Sequence, residues 1–103
     1  MKFEIAPPQK TTYIYDTYTY DDAKLYCFAV TIDGKTGWRL PTIDELRKIY
    51  ELDKQSYTKY YWSSTPANNS NRNMVMFFHD GFCTGGLHTD KYYILPVRDL
   101  KDD

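Results

Sequence analysis

The chain has 103 residues, enough for one domain with one hydrophobic core and too few for two. Its formal net charge of −1 at pH 7 argues against the strongly basic surface that nucleic-acid and anionic-membrane binding require. No stretch approaches the roughly 18 apolar residues of a membrane span, and residues 1–8 contain no apolar signal-peptide core. We therefore expect a single cytoplasmic domain that binds neither nucleic acid nor a membrane.

The N-terminal third is predicted to contain one strand and one helix. Residues 1–10 include two adjacent prolines and are interpreted as an irregular arm, followed by a strand at residues 11–15, where β-branched and aromatic residues alternate. Thr19 and Asp22 have capping-box spacing. Apolar residues at i, i+3, i+4 and i+7, from Ala23 to Val30, then predict a helix over residues 20–31. The dipeptide Asp33-Gly34 predicts a turn after it.

A strand-to-helix corner is predicted in the segment from Gly37 to Leu46. Pro41 disfavours a helical conformation at the preceding residue, so Leu40 is expected to be extended. Thr42 and Glu45 then form a T-x-x-E capping box at the start of a second helix, residues 43–52.

The C-terminal half is predicted to be mostly strands. A loop at residues 54–59 precedes an aromatic strand at 60–65, which Pro66 is expected to stop. Six consecutive polar residues, 68–73, predict a loop. The remaining predictions are a buried strand at 74–78, a hairpin turn at Asp80-Gly81, a distorted strand at 82–87, and an edge or bulged strand at 92–97 that contains Pro96. The fold class is α+β, with two helices packed on a small antiparallel sheet with long loops.

Three segments, taken in this order, carry a resemblance to a known family. They are Thr19-Tyr20-Asp21-Asp22-Ala23-Lys24-Leu25-Tyr26-Cys27, Gly37-Trp38-Arg39-Leu40-Pro41-Thr42-Ile43-Asp44-Glu45-Leu46 and Tyr61-Trp62-Ser63-Ser64-Thr65, followed by Val97-Arg98. Over residues 11–99 the chain resembles the Lcl C-terminal-like domains, named for a bacterial collagen-like adhesin and widespread in bacteria and phages. The resemblance implies a C-type lectin-like fold, similar to that of the formylglycine-generating enzyme. It also implies a host that is a bacterium or a phage-infected cell, with association with a virion left open.

The residues of the shared motif are interpreted as structural. A buried arginine requires a charge partner, because an unpaired buried charge is very costly. Glu45 is the acid inside the motif, and the C-terminal strand is expected to pass close to it. The two tryptophans are interpreted as core anchors. The structural set is Trp38, Arg39, Leu40, Pro41, Thr42, Glu45, Trp62 and Arg98.

The two cysteines, Cys27 and Cys83, are expected to be free and non-catalytic. Many members of the family carry a cysteine just before the terminal Val-Arg, where it can bridge to the first-helix cysteine, but this chain has Pro96 there. The resemblance to the formylglycine-generating enzyme raises the alternative of a copper-dependent thiol oxidase, since thiolates bind Cu(I) well. Cys27 lies on the apolar stripe of the first helix, where burial would make its thiol inert.

No metal or other cofactor is expected. His79 and His88, with Asp80 and Asp90, do not match an established metal-ligand spacing. The polar loop offers amide oxygens without the carboxylates that a calcium-dependent lectin needs.

These observations favour a non-catalytic binding module for a protein partner, such as a phage or bacterial accessory protein that engages a host factor. A glycan-binding, adhesin-type module is the alternative, and the oligomeric state is left open. Loops on a rigid scaffold often carry function, and tyrosine and arginine are common in binding surfaces. The candidate surface combines the loop 68–73, the region 80–90 and exposed tyrosines, with the residues Tyr13, Tyr15, Tyr18, Asn69, Asn71, Arg72, His79, Asp80 and His88.

Overall fold

The computed structural model describes residues 2–6, 17–52, 59–68 and 71–100. Over these residues the chain forms two helices and six strands. In chain order they are β1 (Phe3–Ile5), α1 (Tyr20–Ala29), β2 (Trp38–Arg39), α2 (Ile43–Leu52), β3 (Tyr60–Pro66), β4 (Arg72–Phe77), β5 (Phe82–Leu87) and β6 (Val97–Asp99). The strands form two three-stranded antiparallel sheets, ordered β1-β6-β2 and β3-β4-β5. The α+β prediction is confirmed, with two small sheets in place of one.

Two predictions about the sheet β1-β6-β2, which we call the terminal sheet, were wrong. Residues 3–5, expected to be irregular, form β1 and pair with β6, and β6 lies in the middle of its sheet. The last strand was expected at residues 92–97, as an edge or bulged strand containing Pro96. Tyr92 and Tyr93 instead form isolated bridges. Pro96 stands outside the ladder, since it has no N–H to donate, and its carbonyl accepts a hydrogen bond from the Ala6 amide at 2.9 Å.

The central sheet β3-β4-β5 has a hydrophobic cluster packed against each of its faces. Successive residues of a strand point to opposite faces. Accordingly Trp62 and Val75 belong to one hydrophobic cluster, together with Ala23 and Cys27 of α1, which we call the first core. Their neighbours Tyr61 and Met76 belong to another cluster with Leu46 and Ile49 of α2, the second core. The prediction that the apolar run 74–78 is a strand buried on both faces is confirmed, with bounds shifted to 72–77.

The helices begin and end close to the predicted positions. The Thr19 hydroxyl accepts a hydrogen bond from the Asp22 amide at α1, and the helix ends at Ala29, two residues before the predicted end. Asp33 and Gly34 follow with φ values of 56° and 75°, which confirms the turn. Helix α2 has the predicted bounds. None of the described helices is long and apolar enough to cross a membrane.

The loops differ from the predictions in length. Arg72 and Asn73, expected in the polar loop, are the first residues of β4, and β3 extends through Pro66. The hairpin at Asp80-Gly81 is confirmed, and the strand after it pairs with β4 in six consecutive positions without distortion. The predicted strand at residues 11–15 and most of the predicted loop at 54–59 lie outside the described residues.

Candidate functional site

The shared motif is organised around one arginine. Arg39, on β2, donates from Nη1 to Glu45 Oε1 at 2.7 Å and from Nη2 to Glu45 Oε2 at 2.8 Å, so the pair is bidentate. Its Nη2 also donates to Asp99 Oδ1, on β6, at 2.6 Å. Glu45 is only 3% exposed. The expected pairing of a buried charge inside the motif is therefore confirmed, and the C-terminal strand supplies a second carboxylate to the same arginine.

Glu45 also completes the N-terminal cap of α2. Its Oε1 accepts from the Thr42 amide at 2.8 Å, and the Glu45 amide donates to the Thr42 hydroxyl at 3.1 Å, as a capping box requires. The Thr65 hydroxyl, on β3, accepts from the Ile43 amide at 2.9 Å and satisfies another free amide of the helix start. The Arg39 guanidinium holds the pKa of Glu45 below its usual value, and it lowers the pKa of Asp99 as well.

The segment Trp62-Ser63-Ser64-Thr65 connects this corner to the central sheet. Between Trp62 and Pro66 the register of β3 against β4 shifts, as at a β-bulge. The fully buried Ser63 hydroxyl donates to the Met74 carbonyl at 2.6 Å and accepts from the Thr65 amide at 3.1 Å. The Ser64 amide donates to the Pro41 carbonyl at 2.8 Å. Where β3 is irregular, these backbone groups are thus satisfied outside the β3–β4 ladder. The Ser63 hydroxyl satisfies two of them, and the Pro41 carbonyl satisfies the third.

Ser63→Ala is expected to lower the free energy of unfolding by about 1–3 kcal/mol, since it leaves the half-buried Thr65 amide and Met74 carbonyl without the Ser63 hydroxyl. Ser64→Ala is the matched control, because the Ser64 side chain is exposed and its hydroxyl lies 3.4 Å from its acceptor. Ser64→Ala should change stability by no more than about 0.5 kcal/mol. Urea denaturation of both variants measures the difference, and equal small losses would show that the Ser63 bonds are dispensable.

The other motif residues also have structural contacts. The Trp62 indole N–H donates to the Tyr18 carbonyl at 2.7 Å, and that of Trp38 donates to the Lys35 carbonyl at 2.9 Å. Arg98 donates to the Thr36 carbonyl at 2.8 Å and to the Glu4 carboxylate at 3.1 Å. Arg98 therefore fastens β1 to the chain before β2. Trp38, Leu40, Pro41 and Trp62 are buried, as predicted.

The residues predicted to form a binding surface do not form one cluster. Tyr13, Tyr15 and Asn69 lie outside the described residues. Arg72 is opposite Leu87 at one end of the β4–β5 ladder. His79 and Asp80 lie in the turn at the other end, five residue steps or about 17 Å away. The structure therefore places Asn71, Arg72 and His88 at one end of the sheet, and His79 with Asp80 at the other.

Several of these side chains have contacts within the domain. His88 stacks on Tyr20 with ring centroids 4.5 Å apart, and its Nε2 lies 2.9 Å from the buried Asn73 Oδ1. Asp80 accepts from the Phe82 amide at 3.0 Å and stabilises its own turn. His79 is exposed and stacks on Phe77. Among the described side chains, no three His, Cys, Asp or Glu residues are grouped so that they could hold a metal ion.

A surface that the sequence did not predict lies on α1. Phe28 is 85% exposed and Leu25 is 64% exposed, although both are large and apolar. They lie off the stripe from Ala23 to Val30, so α1 carries apolar residues on its outer face as well as on its inner one. The presence of Leu25 and Phe28 outside the predicted stripe was the available signal.

Grooves run along both sides of these two residues. One, of about 660 Å³, lies between α1 and the β2 corner and is lined by Leu25, Phe28, Trp38 and Leu40. The other, of about 450 Å³, is lined by Leu25 together with Tyr18, Tyr26, Ala29 and Val30. Asp21 and Lys24, 3.8 Å apart, border the first groove. We call this surface, centred on Leu25 and Phe28, the α1 face.

One known family matches the part of the chain that contains both the Gly37–Leu46 corner and strand β3. The model of the Lcl C-terminal domain matches residues 8–98, which is nearly the whole chain. The chain belongs to this family. No curated protein gives a significant match.

In this Lcl C-terminal domain both cysteines are free thiols. Cys27 is buried in the first core, and burial raises the pKa of its thiol to about 12. Cys83 is half-buried and packs against the second core, with its sulfur 3.9 Å from Arg47 Nη2. Pro96 is fully buried.

Two thiols are expected when the denatured domain is titrated with Ellman's reagent. In the native domain Cys83 should react first, whereas Cys27 should react only as the domain unfolds, because it is buried and protonated. Cys83→Ser should remove the fast reaction. A titre near zero, or equal rates for the two cysteines in the native state, would contradict the assignment.

Proposed function

We propose that this Lcl C-terminal domain is a non-catalytic binding module whose partner is a protein. The observation that carries the proposal is the α1 face, where the side chains of Phe28 and Leu25 are mostly in water. Contiguous exposed apolar surface with a polar rim is typical of interaction sites. Large apolar and aromatic side chains that fill pockets of a partner supply most of the binding energy in protein interfaces.

The scaffold beneath the α1 face supports this role. Trp38 and Leu40 form the floor of the larger groove and are each 3% exposed. The adjoining Arg39 is held by two carboxylates. Binding to such a preformed surface loses little conformational entropy. A face made of leucine and phenylalanine with few polar groups suits an apolar protein segment better than a glycan.

The cysteines support a non-catalytic role. A thiol oxidase of the formylglycine-generating type needs two sulfurs that meet in an open pocket. Cys27 lies in the first core and Cys83 packs against the second. A thiol whose pKa is about 12 is almost entirely protonated at neutral pH and is a poor nucleophile and metal ligand.

Fold and location are part of the same proposal. We propose that the two helices and two small sheets are arranged as in C-type lectin-like domains, which present variable surfaces on a common scaffold. We further propose that the domain acts in the cytoplasm of a bacterium or a phage-infected cell, where its partner is a host factor.

Differential capture from native cytoplasm tests the proposal. The bait is the wild-type domain or the Leu25→Gln/Phe28→Gln double variant, because glutamine has nearly the helix propensity of leucine and removes the apolar surface. Leu52→Gln is the matched control, since Leu52 is 82% exposed but lies on the other helix. We expect at least one protein to be retained by the wild type and the control and lost from the double variant. Identical recovery on all three baits would overturn the α1 face as the binding surface.

A further inference from the structure

We infer that a second site, at Arg72, binds a carboxylate, and that the partner supplies it as an aspartate or glutamate side chain. The inference rests on the proposed function in one respect, namely that the molecule carrying the carboxylate is a protein. The site is a groove of about 320 Å³ at the end of the central sheet, where β3 leaves the sheet and β4 enters it. We call it the Arg72 groove.

Arg72 differs from the other arginines of the chain. Arg39, Arg47 and Arg98 each have a carboxylate partner, at 2.7, 3.3 and 3.1 Å respectively. Within the described part of the chain Arg72 has none. An arginine that is half-buried loses part of its hydration, and a carboxylate is the partner that best compensates for this loss. The guanidinium of Arg72 is therefore available to an external carboxylate.

The side chain of Arg72 is already held in place. Its Nη1 donates to the Gly85 carbonyl at 2.8 Å. Gly85 has no side chain, and a Cβ there would lie 3.2 Å from the Ala67 Cβ and 3.5 Å from the Arg72 Cδ. The position crowds Ala67 and lies at ordinary van der Waals distance from the Arg72 stem, so the arginine packs closely across β5. One nitrogen is engaged by the backbone, while the remaining guanidinium N–H groups can make forked contacts with an anion.

The rest of the groove has the polarity that a carboxylate requires. Asn68 and Thr84 line it beside Arg72, and both side chains have hydrogen-bond donors that no other described residue engages. None of the described residues that line the groove is acidic. Asp90 is not among these lining residues, and its Oδ2 accepts from the Leu87 amide at 3.1 Å and from the Tyr92 hydroxyl at 3.2 Å. A positive charge beside uncharged hydrogen-bond donors, with no carboxylate among the described lining residues, favours binding of an anion.

A peptide titration tests the site without any knowledge of the partner. The probe is hexaglutamate with an acetylated N-terminus and an amidated C-terminus, added to the ¹⁵N-labelled domain at constant ionic strength. We expect saturable shifts of the Arg72 Nε–Hε signal and of the Thr84 and Gly85 amides. The Nε–Hε signal of Arg47, which has its own carboxylate, should not move. Hexaglutamine, at the same concentration, should shift none of these signals.

Two variants separate a forked contact from general attraction to positive charge. Arg72→Lys keeps the charge and removes the fork, and we expect it to weaken hexaglutamate binding at least tenfold with little change in melting temperature. Arg47→Lys should bind as the wild type does. Equal affinity of Arg72→Lys and wild type, or no saturable shift at Arg72, would overturn the inference. Saturation by trigalacturonate but not by hexaglutamate would overturn the assignment to a protein. Failure of the α1 face in the capture experiment would leave these outcomes unchanged, because the probe is a peptide.

Discussion

Glu45→Ala is expected to lower the free energy of unfolding by about 3 kcal/mol, because it removes a helix cap and strands a charge at the same time. The cap loss follows from the Thr42 amide, which donates to Glu45 at 2.8 Å. The stranded charge is Arg39, which among the described residues would keep only the exposed Asp99 as a carboxylate partner. Because Arg39 is itself about one third exposed, solvent reduces the effect below that of a fully buried pair. Thermal unfolding should show a decrease of roughly 12 °C or more in a domain of this size.

Asp44→Ala provides the control in the same helix turn. Asp44 has the same charge, but its side chain is 74% exposed and pairs with Arg47 at 3.3 Å. Its removal should cost less than about 1 kcal/mol. Equal losses for the two variants would mean that Glu45 is an ordinary surface acid.

The pH dependence of Glu45→Gln gives an independent check. The pKa of Glu45 is lower in the folded domain than in the unfolded chain, so its stabilisation is present above the unfolded pKa and is lost as the pH falls through the folded pKa. The stability difference between wild type and Glu45→Gln should therefore narrow as the pH falls below about 4. A difference that stays constant down to pH 2 would contradict the role of the ionised carboxylate.

Trp62→Ala is expected to have the largest effect of any single substitution in the central sheet, a loss of about 3–5 kcal/mol. The side chain is fully buried, and its ring packs against those of Tyr20 and Tyr92 with centroids 5.5 and 4.9 Å away. Its N–H also donates to the Tyr18 carbonyl, which accepts from the Tyr92 amide as well. Chemical denaturation measures the loss if the variant folds, and circular dichroism detects an unfolded chain if it does not.

Two further variants help to interpret the stability loss of Trp62→Ala: one removes only the indole N–H donor and part of the ring, and the other is a control on an exposed aromatic residue. Trp62→Phe keeps an aromatic ring but removes one of two hydrogen bonds to the Tyr18 carbonyl, which still accepts from the Tyr92 amide at 3.0 Å. Loss of this bond should cost about 0.5–1.5 kcal/mol. Phe82→Ala is the control on β5, where the side chain is 55% exposed, and should cost less than about 1 kcal/mol. A Trp62→Ala loss no larger than that of Phe82→Ala would contradict its role as a core anchor.

The local elements were predictable where one physical signal dominated. The capping box and Pro41 predicted the start of α2, and the apolar period predicted its length, so its bounds are as expected. The dipeptide Asp80-Gly81 likewise predicted its hairpin. These signals lie within a few residues of the structure that they specify.

The terminal sheet was less predictable because its contacts are long-range. Phe3–Ile5 is too short to show an alternating pattern, and its partner Val97–Asp99 is more than ninety positions away. Pro96 indicated an edge strand because a proline cannot donate to a ladder. In the structure β6 begins at Val97, one residue after the proline, so β6 can pair on both sides and lie in the middle of its sheet.

The candidate sites are defined by which side chains are exposed, and the spacing of apolar residues along the chain predicts this only in part. The stripe from Ala23 to Val30 correctly predicted the inner face of α1, but it could not show that nothing in the described chain covers Leu25 and Phe28. Similarly, the polar run 68–73 indicated a displayed loop, whereas Arg72 and Asn73 belong to β4. Which arginine has a carboxylate partner, the property that distinguishes Arg72, depends on tertiary contacts that the sequence pattern does not show.

The affinity of the purified partner for three forms of the domain tests the central claim most directly. Isothermal titration calorimetry should show that Leu25→Gln/Phe28→Gln raises the Kd of the partner by about 30-fold or more. This factor corresponds to about 2 kcal/mol, the loss typical of an interface hot spot. Leu52→Gln should bind as tightly as the wild type, and all three melting temperatures should agree within a few degrees. Undiminished affinity of the folded double variant would contradict the proposal that this domain binds its partner through the α1 face.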